Sequence, residues 1–114
     1  MKKAFRIKKN SEFQKVFKNG ASFANRQLVI YYLNKRDQAH YRVGLSVSKK
    51  IGNAVVRNQI KRYLRQAFLE LNEEIHASYD IIIIARQPVR DCDFHDVKKS
   101  VQHLLYKTGL LMKK

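Results

Sequence analysis

The chain has 114 residues, a mass of 13.5 kDa and a formal net charge of +15 at neutral pH. This length predicts one domain over residues 1–114, large enough to bury a core without disulfides, and excludes two independent domains. Residues 1–65 carry 17 basic and 2 acidic side chains, whereas residues 66–114 carry 7 of each. Hydrophobic residues form 45% of the sequence, which excludes a disordered polycationic tail. The composition predicts a folded domain with one strongly positive side.

The single cysteine, Cys92, cannot form an intramolecular disulfide, so a secreted disulfide scaffold is excluded and a cytoplasmic location is predicted. The basic amino terminus is not followed by an apolar stretch, and no window approaches the roughly 20 apolar residues of a membrane span. A pI near 10.2 indicates a polyanionic partner, for which nucleic acid is the first candidate and an anionic membrane surface the weaker one.

The first predicted helix begins at Ser11, because Ser11 and Gln14 have the spacing of a capping box. Its apolar residues Phe13, Val16 and Phe17 follow the helical spacing of three and four. The pair Asn19 and Gly20 predicts a left-handed stop.

Two β segments are predicted after this helix, at residues 26–33 and 41–48, with an optional short strand at residues 21–25. In the second segment Val43, Leu45 and Val47 alternate with Arg42, Gly44, Ser46 and Ser48. This alternation predicts one apolar face and one polar face. The two segments are expected to pair as an antiparallel hairpin.

Residues 55–72 contain neither Gly nor Pro and predict a helix, and the isoleucine-rich residues 79–85 predict a strand buried on both faces. A last helix begins after Asp93 and ends at Gly109. The order α-β-β-β-α-β-α predicts an α+β sandwich with three helices and a mixed sheet of about four strands. The strands before and after the middle helix are expected to be parallel, either adjacent or one apart, with a right-handed crossover on general grounds.

The middle helix is predicted to carry a cationic face opposite its apolar face. At about 100° per residue, five polar side chains fall within an arc of about 140°. They are Arg57, Asn58, Lys61, Arg62 and Arg65. Because residues 38–69 include no acidic residue, these cations lack the ion pairs that support an ordinary solvated helix. Phosphate binding is the favoured interpretation, and a merely solvated face is the alternative.

The loop before this helix also points to an anion. Lys49 and Lys50 leave the end of a strand, and Gly52 and Asn53 precede the helix start. Helix amino termini attract anions. The nucleotide-binding pattern G-x-x-x-x-G-K-[ST] is absent, so nucleotide hydrolysis has no support.

Residues 49–65, preceded by Arg-Val-Gly-Leu-Ser-Val-Ser at 42–48, resemble the signature region of the bacterial ribonuclease P protein component. Residues 8–20 and 80–86 resemble that family too, so the similarity spans nearly the whole chain. One position departs from the family pattern, since the hallmark Arg-Asn-Arg has Gln59 at its third place. This difference is expected to weaken RNA contact modestly.

The resemblance implies an α/β sandwich with a left-handed βαβ crossover, in place of the right-handed default. It also implies the protein subunit of an endoribonuclease whose catalytic RNA, with Mg²⁺, removes the 5′ leader of precursor tRNA. The expected partners are that RNA and precursor tRNA, with no membrane, no small-molecule substrate and no cofactor held by the protein's own ligands. The implied RNA-binding residues are Lys49, Lys50, Asn53, Arg57, Asn58, Lys61, Arg62 and Arg65, and the implied leader cleft contains Phe13, Phe17, Tyr31 and Ser46.

Three alternatives stay open. The aromatic residues of the cleft could belong to the core, which their spacing alone favours. An autonomous nuclease has little support, because the four histidines are scattered and Asp91, Asp93 and Asp96 are better explained as helix-start residues. A general RNA-binding or ribosome-associated basic protein would share the charge, whereas a helix-turn-helix protein would need two consecutive helices.

Overall fold

The computed structural model describes residues 5–112. Its helices are α1 (Asn10–Asn19), α2 (Ala54–Glu70) and α3 (Phe94–Thr108), and its strands are β1 (Ala21–Ala24), β2 (Leu28–Asn34), β3 (Arg42–Ser46) and β4 (Tyr79–Ala85). Short 3₁₀ turns follow α2 at Asn72–Glu74 and β4 at Gln87–Asp91. The predicted α-β-β-β-α-β-α order is confirmed. Within residues 5–112, no helix combines the length and apolar character needed to span a membrane.

The strands form one mixed sheet in the order β1-β2-β4-β3. β4 pairs antiparallel with β2 and parallel with β3, while β1 and β2 form an antiparallel pair. The predicted hairpin between residues 26–33 and 41–48 is therefore wrong, because β4 lies between them. A run of isoleucines that is apolar on both faces is best buried in a central strand. The predicted parallel neighbours are β3 and β4, and the left hand of their crossover stays a prediction.

Helices cover the two faces of the sheet unequally. On one face α2 and α3 bury the main core, in which Ile30, Ile83, Phe68 and Leu104 are completely inaccessible. On the other face α1 packs over a small cluster centred on Val16 and Ile82. The predicted alternation of β3 agrees with the structure, since Val43, Leu45 and Val47 pack on the main core while Arg42 and Gly44 face α1, and Gly44 is buried there against Phe13.

The predicted start of α1 is wrong by one residue. α1 begins at Asn10 with Lys9 as its N-cap, and no described side chain caps it. The Lys9 carbonyl accepts hydrogen bonds from the amides of Glu12 and Phe13 at 3.0 and 3.2 Å. Ser11 therefore lies inside the first turn, where its backbone cannot take the extended conformation of a capping residue.

The predicted left-handed stop at Gly20 is also wrong, since its φ of −91° is extended. Glycine is required there for space: an added Cβ would lie 2.5 Å from the Tyr32 carbonyl oxygen and 2.6 Å from that of Val16. The ends of α3 agree with prediction. Asp93 forms a capping box, and Gly109 ends the helix in the left-handed region at φ 78°.

Candidate nucleic-acid interface

The cationic side chains of α2 lie opposite its buried residues, as the helical arrangement predicts. We call Arg57, Asn58, Lys61, Arg62 and Arg65 the basic face. The residues that α2 buries in the core are Ile60, Leu64, Ala67 and Phe68. Packing therefore fixes the rotation of the helix, and this rotation turns the basic face away from the core.

The basic face borders a shallow groove of about 490 Å³, lined by Asn58, Lys61, Arg62, Arg65 and Gln66. No acidic side chain is among these lining residues. The ion pairs found within residues 5–112 involve Lys35, Arg42 and Lys98, and no cation of the basic face. Clustered like charges without protein counterions favour an external polyanion.

The loop before α2 places further cations at the amino terminus of the helix. Lys49 and Lys50 are exposed, while Ile51 beside them is buried and donates its amide to the Ser48 carbonyl at 3.0 Å. The Oδ1 atom of Asn53 accepts the Val56 amide at 3.0 Å and so caps α2. The capping bond uses the side-chain oxygen of Asn53, so the Nδ2 group takes no part in the cap.

Sequence reasoning missed Arg6, which the structure brings beside Arg65. A parallel bridge between Arg6 and Val43 places the amino-terminal segment along β3. Arg6 and Arg65 line a pocket of about 120 Å³, together with Ile7, Phe13, Val43, Leu45 and Lys61. We call this the arginine pocket. No sequence pattern links positions 6 and 65, so only the folded chain reveals it.

Two guanidinium donors in the arginine pocket have no partner among residues 5–112. The Nε atoms of Arg6 and Arg65 are buried and make no hydrogen bond within the described chain. Burial, and secondly the charge of Arg6, lower the pKa of Arg65. A buried unsatisfied donor is costly, and two close cations repel each other. An anion in this pocket would satisfy the donors and offset the repulsion.

The aromatic residues predicted for the leader cleft lie together at the junction of α1 and the sheet. The rings of Phe13 and Phe17 are 6.3 Å apart, and Phe17 meets Tyr31 of β2 edge-on at 4.9 Å. All three are half-buried beside the cluster containing Ile82, so they are neither fully core nor fully exposed. Ser46 is also half-buried. We call Phe13, Phe17, Tyr31 and Ser46 the aromatic cleft.

Strand register explains how distant residues share this cleft. Gly44 and Tyr31 both pair with Ile82, and Ser46 pairs with Ile84. Paired residues of neighbouring strands lie on the same face of a sheet. Phe13 then joins the two surfaces, because it belongs to the aromatic cleft and also lines the arginine pocket. The aromatic cleft, the arginine pocket and the basic face are therefore continuous.

Two acidic residues, Asp93 and Asp96, cap the amino terminus of α3. The carboxylate of Asp93 accepts the Asp96 amide at 2.9 Å, and the Asp96 carboxylate accepts the Asp93 amide at 3.2 Å. The Asp96 amide lowers the pKa of Asp93. Within residues 5–112, no three His, Cys, Asp or Glu side chains are grouped so as to hold a metal ion.

Gln59 is half-exposed in the first half of α2, at the margin of the basic face. We expect Gln59→Arg to leave RNA affinity unchanged or to raise it at low salt, because a cation at this half-exposed position would border the basic face. The melting temperature should change little. Binding titrations and thermal melts check this, and a large fall in melting temperature would mean that Gln59 is packed inside.

The sequence model of the family Ribonuclease P matches residues 1–109. The chain is 65% identical to the ribonuclease P protein component of Oceanobacillus iheyensis over 111 residues, covering 97% of this chain and 92% of that protein. The protein component of Geobacillus kaustophilus is 61% identical, with coverage of 99% and 93%.

Solved structures give the same result for the fold. A Staphylococcus aureus RNase P protein superposes with a TM-score of 0.89 at 47% identity, covering 96% of this chain and 99% of that one. The RNase P protein of Thermotoga maritima superposes with a TM-score of 0.82 at 28% identity, covering 90% and 96%. The α+β architecture, with three helices and a four-stranded mixed sheet, is that of these proteins.

Proposed function

The chain belongs to the ribonuclease P protein family, and we propose that it binds the catalytic RNA subunit and the 5′ leader of precursor tRNA. In this way it assists removal of the leader. The observation that carries this proposal is the continuity, through Phe13, of an aromatic surface with a cationic one that has no ion pair among residues 5–112. A polynucleotide offers both phosphates and bases to such a surface.

The basic face, with Lys49, Lys50 and Asn53 at its amino-terminal end, contacts the phosphates of the catalytic RNA in this proposal. Guanidinium groups chelate phosphate oxygens, and the amide of Asn58 adds neutral hydrogen bonds. The arginine pocket supports phosphate contact over simple solvation, because solvated cations need no partner whereas its two buried Nε donors do.

The aromatic cleft receives the leader. Aromatic faces stack on unpaired bases without regard to base identity, which suits leaders of variable sequence. The half-burial of Phe13, Phe17 and Tyr31 supports this role, since it fixes the rings while leaving part of each accessible. The Ser46 hydroxyl on the same sheet face adds a hydrogen-bonding group.

The protein supplies no catalytic residue in this proposal, and the RNA subunit carries out the chemistry with Mg²⁺. Asp93 and Asp96, whose carboxylates hold the α3 cap, do not fit a metal site of the protein. We place this ribonucleoprotein in the cytoplasm, in line with the presence of one cysteine among 114 residues.

We expect the purified chain alone to leave precursor tRNA intact, and the chain with the catalytic RNA and Mg²⁺ to release the leader at low salt. Cleavage is measured by resolving the leader and the mature 5′ end on a gel. Polylysine at equal positive charge serves as the control, because a generic polycation offers no aromatic cleft. Cleavage by the RNA-free protein, or equal stimulation by polylysine, would contradict the proposal and favour a nuclease or a general basic RNA-binding protein.

A further inference from the structure

An ion network of Glu12, Arg42 and Asp80 ties α1 to the sheet. Arg42 donates from Nε to Asp80 Oδ1 at 3.0 Å and from Nη2 to Asp80 Oδ2 at 2.7 Å. Its third nitrogen, Nη1, donates to Glu12 Oε2 at 3.0 Å. Lys35 Nζ lies 3.8 Å from Asp80 Oδ2. The hydrogen bond to Asp80 raises the pKa of Arg42 above its ordinary value, so the guanidinium stays charged.

The two halves of this network differ in burial. Asp80 is 2% exposed, so its bidentate pair with Arg42 fixes the guanidinium on the sheet. The side chain of Glu12 is 31% exposed, so it reaches a partner whose position is already set. A bidentate pair adds geometric precision that a single charge contact lacks. Glu12 therefore binds α1 to a rigid point of β3 and β4.

α1 buries few side chains completely, although its half-buried Phe13 and Phe17 also pack against the sheet. The helix has ten residues, no described side chain caps its amino terminus, and Val16 is the one residue within it that is fully buried. The cluster beneath α1 has three buried members, Ile7, Val16 and Ile82, whereas the core on the opposite face has many more. Short helices depend on tertiary contacts for their position. The Glu12–Arg42 contact therefore acts together with the packing of half-buried Phe13 and Phe17 to locate α1 on the sheet.

Glu12 is followed in the chain by the first ring of the aromatic cleft. Phe13 packs directly over Gly44, where an added Cβ would lie 2.5 Å from the Phe13 Cζ atom. Gly44 is two residues beyond Arg42 in β3, so both face α1. Glu12 and Phe13, which are consecutive in α1, therefore contact Arg42 and Gly44, which are neighbours on one face of β3. Loss of the first contact would loosen the second.

We propose that Arg42, held by Asp80 and bound to Glu12, is a positioning residue that sets the distance between α1 and the sheet, and thereby tunes the aromatic cleft for the leader. This inference rests on the proposed function, because it acts through Phe13 and Phe17. The ion network itself does not touch the leader. Its effect appears in discrimination between precursor and mature tRNA.

The test uses Glu12→Gln in the holoenzyme assembled with the catalytic RNA. This change keeps the shape of the side chain and removes the charge that Arg42 binds. Glu70→Gln is the matched control, because Glu70 is 36% exposed, pairs with Lys98 at 2.8 Å and loses the same charge. Both variants lose one negative charge and therefore have the same net charge. Dissociation constants for precursor and mature tRNA, with melting temperatures, are measured for each.

We expect Glu12→Gln to lower the ratio of mature to precursor dissociation constants about threefold to fivefold, the scale of one exposed ion pair. Glu70→Gln should leave the ratio as in the wild type. Glu12→Asp, which restores the charge on a shorter side chain, should recover part of it.

Each contrary outcome identifies what fails. A wild-type protein without leader discrimination contradicts the proposed function itself. Wild-type discrimination that Glu12→Gln leaves unchanged overturns the positioning role alone. Equal weakening for both tRNAs, together with a lower melting temperature, also overturns it, because it shows that the ion network serves stability only.

Discussion

Replacing Arg57, Lys61, Arg62 and Arg65 together by Ala is expected to flatten the salt dependence of binding to the catalytic RNA. Phosphate contacts release counterions, so the logarithm of the binding constant falls linearly with the logarithm of salt concentration. Each lost phosphate contact should reduce that slope by about 1, and the four substitutions by about 3 to 4. Filter-binding or fluorescence titrations at several salt concentrations measure the slope.

The variant should still fold, because α2 buries its opposite side through Ile60, Leu64 and Phe68. A matched control removes four exposed cations elsewhere, at Arg36, Arg90, Lys99 and Lys107. It has the same net charge but an intact basic face, so its slope should fall much less. Equal slopes for the two variants would mean that RNA responds to total charge, and the basic face would then be a solvated surface.

The basic face could be predicted because its determinants are local. Residues 55–72 contain no helix breaker, and the interval between Arg57 and Arg65 fixes their common side once the helix forms. The ends of α3 follow from Asp93 and Gly109 for the same reason. The predicted start of α1 at Ser11 is wrong, because the Lys9 carbonyl accepts the amides of Glu12 and Phe13 and the helix begins at Asn10 with no described side-chain cap.

Strand pairing could not be deduced so well, because it joins residues that are far apart in the chain. The segments at 26–33 and 41–48 are neighbours in sequence, and this favoured a hairpin. In the structure β4 separates them, since Ile81, Ile82 and Ile83 are completely buried and need cover on both faces. The predicted parallel relation of β3 and β4 was correct because a helix must connect them.

In the candidate site, too, local sequence predicts some features while others depend on contacts between distant residues. Arg6 was missed because its place depends on one bridge to Val43, which brings it to Arg65 across the edge of the sheet. The spacing of Phe13 and Phe17 was visible in the sequence, yet their half-burial depends on Gly44 and Tyr31, which belong to two different strands. Composition therefore predicts a polyanionic partner, whereas only the tertiary structure shows that the cationic side chains lie next to the aromatic rings.

Phe17→Ala is expected to weaken holoenzyme binding of leader-bearing precursor tRNA by about 1 to 3 kcal/mol, the usual scale for a base stacked on an aromatic ring. Mature tRNA has no leader and should bind as before. Phe17 is the informative position because its ring packs edge-on against Tyr31, whereas Phe13 also contacts Gly44 and lines the arginine pocket.

Phe23→Ala is the matched control for this prediction. Phe23 is 37% exposed, belongs to β1 and lies near His103 of α3, on the sheet face opposite the aromatic cleft. Its loss removes an accessible ring without touching the cleft, so precursor and mature tRNA should both bind normally. If Phe17→Ala weakens precursor binding and Phe23→Ala does not, the effect is due to the position of the Phe17 ring and not simply to the loss of an aromatic residue.

Stability measurements separate stacking from packing. Truncation of a fully buried ring such as Phe68 should lower the free energy of unfolding by about 3 to 5 kcal/mol. Such a loss of stability would harm every activity alike. Half-buried Phe17 should cost less than this and should affect the precursor selectively. If Phe17→Ala instead lowers stability by that full amount and weakens both tRNAs equally, the ring belongs to the small core beneath α1 and the leader must bind elsewhere on the protein.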